Sequence, residues 1–214
     1  MINKILDIIG NKGASNDKPS EQEQLALEAE LEKLLSQSQG PDLRIIGLFS
    51  EVTDDKVAEL IHAMIYLDEV NAIKKTELPI EFYISTYGGS ADDMFGMYDI
   101  MRVIRNRTEI HTVGLGKVMS AGVLLLASGT KGKRCIGKNC RVMIHSVIGG
   151  NHGPLHNLMN EMEAIEQIQK MYSEALVAET NMTKKDLKKL LERKVNVYLT
   201  AEEAVELGIA DIII

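Results

Sequence analysis

The apolar positions of the chain change period at about residue 43, and the two regimes predict different structures. Before it, Leu27, Leu31, Leu34 and Leu35 repeat at helical spacing through about Ser36, behind a Ser20/Glu23 capping-box pattern. Gly40-Pro41 ends that helix. Upstream, Ile2, Ile5, Ile8 and Ile9 suit a short amphipathic turn, and residues 11–20 (NKGASNDKPS) have linker composition. Residues 1–41 therefore read as an N-terminal arm. Its apolar stripe must be covered, either by the core of its own domain or by a neighbouring subunit.

Residues 42–214 read as a single domain of the α/β class. LRIIGLFS, from Leu43, predicts a strand, and Val52 to Asp68 a helix with Val57, Leu60, Ile61, Met64 and Ile65 facing inward. Ile80 to Ser85 predicts a second strand, followed by the turn Thr86-Tyr87-Gly88-Gly89 and a helix from Ala91 to Arg105. Glu109 to Val113 predicts a third strand, which a glycine turn at 114–116 separates from a helix entered at Ser120. Short strands at 134–136 and 141–145, helices at Pro154–Thr180 and Thr183–Arg193, and a brief strand at Asn196–Leu199 come next. A helix capped by Thr200 and the terminal IADIII complete the chain. Alternating strands and helices imply a largely parallel sheet with helices packed around it. Sites in such folds lie at the carboxyl ends of strands, where both glycine turns are expected.

Composition narrows the function classes. A net charge of -7 and a pI near 5.3 argue against a nucleic-acid surface, which needs a basic face. No run of 18 apolar residues exists, and MINKILDIIG is too short and too interrupted by Asp7 for a signal peptide. The expectation is a cytoplasmic protein that engages neither nucleic acid nor membrane. Cys135 and Cys140 lack the further thiol partners a zinc site needs, so they read as reduced, packed cysteines with no metal.

Three features at strand ends could carry chemistry: Gly88-Gly89, Ser120 and His145. Ser120 stands where a helix entry offers unpaired N–H groups, so it either caps the helix or reacts. A serine nucleophile needs a base and two N–H donors for the oxyanion. His145 ends a strand and precedes Gly149-Gly150, which places its ring toward a loop-walled cleft. His62 and His111 have the pattern of structural histidines, and nothing marks His152 or His156. The G-x-S-x-G elbow is absent because Val118 occupies its first glycine position.

Four segments in order make a stronger pattern: YISTYGGSADDMFGMYDIM, GLGKVMSAGVLLLASGTKGKR, RVMIHSVIGGNHG and YLTAEEAVELGIAD. Together they resemble the ClpP family, the proteolytic subunits of Clp proteases, from about Leu43 to Ile212. The resemblance implies a crotonase-like α/β fold and a serine endopeptidase assembled as stacked heptameric rings around a proteolytic chamber. Unfolded polypeptide would come from an AAA+ unfoldase of Clp type. ATP would be used by that partner, and this chain would need no cofactor. Position by position, the resemblance makes Ser120 the nucleophile and His145 the general base, with Gly89 and Ala121 as oxyanion N–H donors. Ser90 and the strip Ile148, Gly149 and Gly150 would pair with an extended substrate backbone.

The chain also departs from that family. Asn196 stands where the family has its catalytic aspartate; it can orient His145 but carries no charge, and Glu192 is the substitute acid nearest in sequence. Lys194-Val195 replaces an Asp-Arg step that links rings in the family, and Thr86-Tyr87 replaces a Ser-Pro step. The arm could be a removable propeptide, a pore cap or a docking element. Three alternatives follow: a weakly active or inactive structural ring subunit, a viral capsid-processing peptidase of the same fold, and an acyl-CoA enzyme on the related crotonase fold. The last would place a carboxylate over the substrate, and only Asp92 and Asp93 adjoin the key residues.

Overall fold

The structure, a computed structural model, describes residues 43–191 and 196–214. The expected arm at 1–41, Glu192 and the Lys194-Val195 step lie outside the described residues. Among those described, seven strands run in the order β1 (Ile45–Leu48), β2 (Ile80–Thr86), β3 (Ile110–Met119), β4 (Cys135–Ile136), β5 (Arg141–Ile144), β6 (Val197–Leu199) and β7 (Ile212–Ile213). The helices are α1 (Asp54–Lys74), α2 (Ala91–Ile104), α3 (Ala121–Ala127), α4 (Leu155–Glu179), α5 (Lys184–Leu191) and α6 (Ala201–Glu206). Strand order is β1-β2-β3-β4-β7, with β5 on β3 and β6 on β5. Every pairing is parallel except β5 with β6. The expected α/β architecture, a largely parallel sheet with surrounding helices, is the one observed.

Period-2 burial on β2 places Ile80, Phe82, Ile84 and Thr86 in the core and leaves the intervening residues half-buried. All seven residues of α3 are buried. This helix packs on β3, α2 and α4. That explains a helix apolar on every face.

Two expectations are corrected. The helix expected to stop at Asp68 continues to Lys74. Its last turns are buried through polar groups: Asp68 accepts from Arg107 and from Thr108 at 2.6 Å, and Asn71 donates to Leu78 and Thr108 at 2.8 and 3.0 Å. Apolar periodicity does not register such a face, and Ile65, expected inward, is 43% exposed. The glycines at 114–116 are also not a turn at a strand end. β3 runs through them to Met119, pairing first with β4 at Val113 and Gly114, then with β5 at Lys117 to Met119. Against β2 the register slips here, since Ile84 pairs with Gly114 but Thr86 with Val118. Gly116, at φ 64°, supplies the bend. The bent strand hands the chain on to Ser120.

An ionic cluster fixes the far end of α4. Glu179 is buried and accepts from Arg105 at 2.6 Å and Tyr98 at 3.0 Å, with Lys131 alongside. Arg134 donates to the Glu179 carbonyl at 2.7 Å and pairs with Asp211 at 2.5 Å, joining α4 to the C-terminal segment. Burial pushes the Glu179 carboxyl up, but the Arg105 guanidinium and the Tyr98 hydroxyl outweigh it and hold the group below the usual carboxylate range.

Candidate active site

Ser120 joins β3 to α3 with φ 54° and ψ -121°, a conformation that a non-glycine residue adopts only at a cost. Its N–H donates to the Met143 carbonyl at 2.8 Å, extending the β3–β5 ladder by one bond. Its carbonyl accepts from Val123 N–H at 3.0 Å and from the Tyr172 hydroxyl at 3.1 Å. The side chain makes no capping hydrogen bond. A capping serine has extended backbone and an engaged hydroxyl; Ser120 has neither. The strained strand-to-helix turn of a nucleophile elbow is thus present without its full glycine motif. Gly122 supplies the second glycine, where a Cβ would meet Thr86 Cγ2 at 2.5 Å. At the first position Val118 is fully buried and paired with Thr86.

The turn after β2 brings Gly88 and Gly89 to the same point. An isolated parallel bridge joins Gly89 to Val52, using the Gly88 carbonyl and the Ser90 N–H at 2.8 and 2.9 Å. The N–H of Gly89 itself is therefore turned away from Val52. A Cβ there would lie 2.2 Å from the Val52 carbonyl oxygen, so the bridge requires glycine. Ala121 is the first residue of α3, and its N–H has no acceptor within the helix. Ser90 caps α2, its hydroxyl accepting from Asp93 N–H at 3.3 Å.

His145 follows β5 directly, two residues beyond the Met143 carbonyl that holds Ser120. Its Nδ1 lies 2.5 Å from the Ser146 carbonyl. A carbonyl only accepts, so Nδ1 carries the proton and Nε2 is left as an acceptor, the tautomer a general base requires. The β5–β6 ladder pairs Val142 with Leu199, Met143 with Tyr198 and Ile144 with Val197. One step further, Asn196 falls opposite His145. Asn196 is exposed, however, and among the described residues it makes no hydrogen bond to the ring.

Ser120, His145, Gly89 and Ala121 all line one cavity of about 370 Å³. Ser90 and Ile148 lie at its edge, and Met94, Ile168 and Tyr172 form its apolar wall. Gly149 instead packs against Ile165, where a Cβ would stand 2.4 Å from Cδ1, and Gly150 is exposed. Tyr87, in the altered turn, is 65% exposed and its ring lies 4.7 Å from the Lys117 ammonium. A larger cavity of about 490 Å³ between α4 and α5 has no histidine on its wall. Its lining Ser173 donates its hydroxyl to the Gln169 carbonyl.

Other nucleophiles and ligands are poorly served. Burial pushes the Cys140 thiol up to about 11 and raises Cys135 as well, which keeps both protonated near neutrality. Among the described residues no group of three His, Cys, Asp or Glu side chains is arranged to hold a metal. No helix among them is long and apolar enough to cross a membrane.

Two residues that contact the site escape a reading of motifs. Tyr172 and Gln169 come from the middle of α4, far from any glycine turn. A tyrosine on the buried face of a helix was the available cue, because its hydroxyl must find a partner.

Comparison with known proteins agrees with this geometry. The family model described as Clp protease matches residues 30–214. The chain is 32% identical over 171 residues to "ATP-dependent Clp protease proteolytic subunit 1" of Prochlorococcus marinus subsp. pastoris, covering 80% of this chain and 83% of the relative. It is 34% identical over 169 residues to "ATP-dependent Clp protease proteolytic subunit 2" of Corynebacterium jeikeium, covering 78% and 77%. With the family match running through every element of the sheet and both sides of the cavity, this chain belongs to the Clp protease family.

Proposed function

We propose that this chain is a serine endopeptidase that cleaves unfolded polypeptide within a ring of its own copies, fed by an AAA+ unfoldase of Clp type. Membership of the Clp protease family supports the peptidase role. The names of the relatives support the ATP-dependent partner. His145 Nε2 takes the proton of Ser120 Oγ as that oxygen attacks the substrate carbonyl. The Gly89 and Ala121 N–H groups receive the oxyanion. The acyl-enzyme is then hydrolysed by water, with His145 again as base. Ser90, Ile148, Gly149 and Gly150 border the substrate backbone. Asn196 is the third member of the triad, on the strength of its register opposite His145.

The observation that carries this reading is the strained Ser120, whose hydroxyl makes no cap hydrogen bond, on one cavity wall with His145. A fluorophosphonate probe should label Ser120 in the assembled protein and leave a Ser120→Ala variant unlabelled. No labelling of the wild-type protein would sink the reading.

A second reading, a ring subunit with little activity, is favoured by one observation. His145 Nδ1 is held by a main-chain carbonyl, and among the described residues no carboxylate is hydrogen-bonded to the ring. Peptide hydrolysis by Asn196→Asp separates the two: activity in neither form supports the structural role.

A further inference from the structure

The α4 helix touches the site from both sides. Tyr172 is 4% exposed and donates its hydroxyl to the Ser120 carbonyl. That carbonyl already accepts the Val123 N–H, so the phenol is not required to satisfy it. Three residues earlier, Gln169 Oε1 accepts the Val147 N–H at 2.7 Å. Val147 stands two residues after His145, in the strip that borders the cavity. The Gln169 amide cannot turn over freely. Its Nε2 donates to Ser173 Oγ at 3.2 Å while that hydroxyl donates to the main-chain carbonyl of Gln169 at 2.8 Å.

These contacts share a helical face. Residues 165, 168, 169 and 172 are spaced three and four apart. Ile165 packs on Gly149, Ile168 lines the cavity, and the two polar tips grip main-chain groups. The rise between Gln169 and Tyr172 is about 4.5 Å, fixed by helix geometry. The Glu179 cluster pins the C-terminal end of the same helix less than two turns on.

We propose that Tyr172 and Gln169 are positioning residues, through which α4 sets the nucleophile and the substrate strip at a fixed offset from each other. The inference rests on Ser120 being the nucleophile. Tyr172 holds the Ser120 peptide in its strained orientation, and therefore governs reactivity. Gln169 holds the strip at Val147, and therefore governs how an extended substrate is seated. Neither group touches the reacting atoms.

The two roles separate in kinetics. Tyr172→Phe keeps the ring and removes only the hydroxyl. It should slow fluorophosphonate labelling and kcat by about fivefold, the worth of one hydrogen bond. KM and the apparent pKa of the pH–rate profile should stay unchanged. Gln169→Met removes the acceptor for Val147 and should raise KM for peptides long enough to lie along the strip by about fivefold. Its labelling rate should remain within about twofold of wild type. Gln169→Glu retains an acceptor oxygen and should restore KM. Solution mass and thermal midpoint are measured for each variant.

Wild-type labelling rates in Tyr172→Phe would overturn its role. A Gln169→Met variant whose kcat, KM and thermal midpoint all fall together, unrescued by Glu, would reduce Gln169 to a packing residue and overturn its role. Failure of the wild-type protein to label overturns the reading of Ser120 itself, and the proposal with it.

Discussion

Gly88 lies so close against Ser120 that a Cβ on it would stand 2.6 Å from the Ser120 Cβ and 3.1 Å from Oγ. The same Cβ would press the Met119 carbonyl at 3.0 Å, and Gly88 has φ 103°, where side chains are strained. Gly88→Ala therefore pushes Ser120, the proposed nucleophile. A displacement near 1 Å costs about 10²-fold in rate. The variant is expected to lose at least that much in fluorophosphonate labelling while far-ultraviolet circular dichroism stays native. Labelling near the wild-type rate would mean that Ser120 is not held by this contact.

Asn196 gives a prediction of opposite sign. It lies immediately before β6, one step beyond the Val197–Ile144 pair and so in register with His145. A carboxylate there would stabilise the imidazolium formed in the proposed proton transfer from Ser120 to His145. Losing such a charge costs about 10⁴ in a trypsin-like triad, through the wrong histidine tautomer. Here the Ser146 carbonyl already selects the productive tautomer, so the restored charge should recover only part of that factor. Asn196→Asp is expected to raise kcat on short peptides by about 10²-fold with KM little changed. An unchanged kcat would remove Asn196 from the triad.

Much of the fold was legible because burial here is periodic. β2 alternates cleanly, α3 is apolar throughout, and Thr200 caps α6 as expected. The misreadings arise where something other than apolar period decides. β3 passes through Gly114–Gly116 because its neighbour changes from β4 to β5 there, which no local pattern encodes. α1 outruns its apolar stripe because Asp68 and Asn71 bury their polar groups with distant partners, Arg107 and Thr108. At the site, strand ends and residue chemistry singled out Gly88-Gly89, Ser120 and His145, and the fold brings Gly89, Ser120 and His145 to one cavity. Ala121 and the oxyanion role of Gly89 entered only through the family resemblance. Tyr172 and Gln169 were not legible, since both act on main-chain atoms that any sequence supplies.

Acid should destabilise the protein in a defined window. Burial raises the carboxyls of Asp68, Glu179 and Asp211, but Arg107, Arg105 and Arg134 respectively outweigh it and leave each below its ordinary value. A carboxyl whose pKa is lowered on folding contributes stability that is fully present above its unfolded value, about 4. That contribution is lost as pH falls through the folded value. Urea midpoints should therefore be flat from about pH 7 to pH 5 and fall steeply below about pH 4. Glu179→Gln should lose about 3 kcal/mol at pH 7 and show a shallower acid limb. That is the low end for breaking a buried pair, because the Arg105 side chain keeps 24% of its surface in water. A Glu179→Gln limb as steep as wild type would mean that other groups control acid unfolding.

The backbone of Ser120 predicts a trade between stability and activity. At φ 54° and ψ -121° a residue with a Cβ carries strain of about 1–3 kcal/mol. Glycine relieves that strain but gives back about 0.5–1 kcal/mol through the greater freedom of its unfolded chain. The net expectation for Ser120→Gly is a gain of about 1 kcal/mol, or about 2–4 °C in thermal midpoint for a domain of this size. Ser120→Ala keeps the Cβ and should gain nothing of the kind, although both variants lose the proposed nucleophile. Comparing the two isolates backbone strain from the loss of the hydroxyl, because the hydroxyl is absent from each. Equal midpoints would show that the β3–α3 turn holds Ser120 without strain, and the pinning by Met143, Val123 and Tyr172 would then have no strain to oppose.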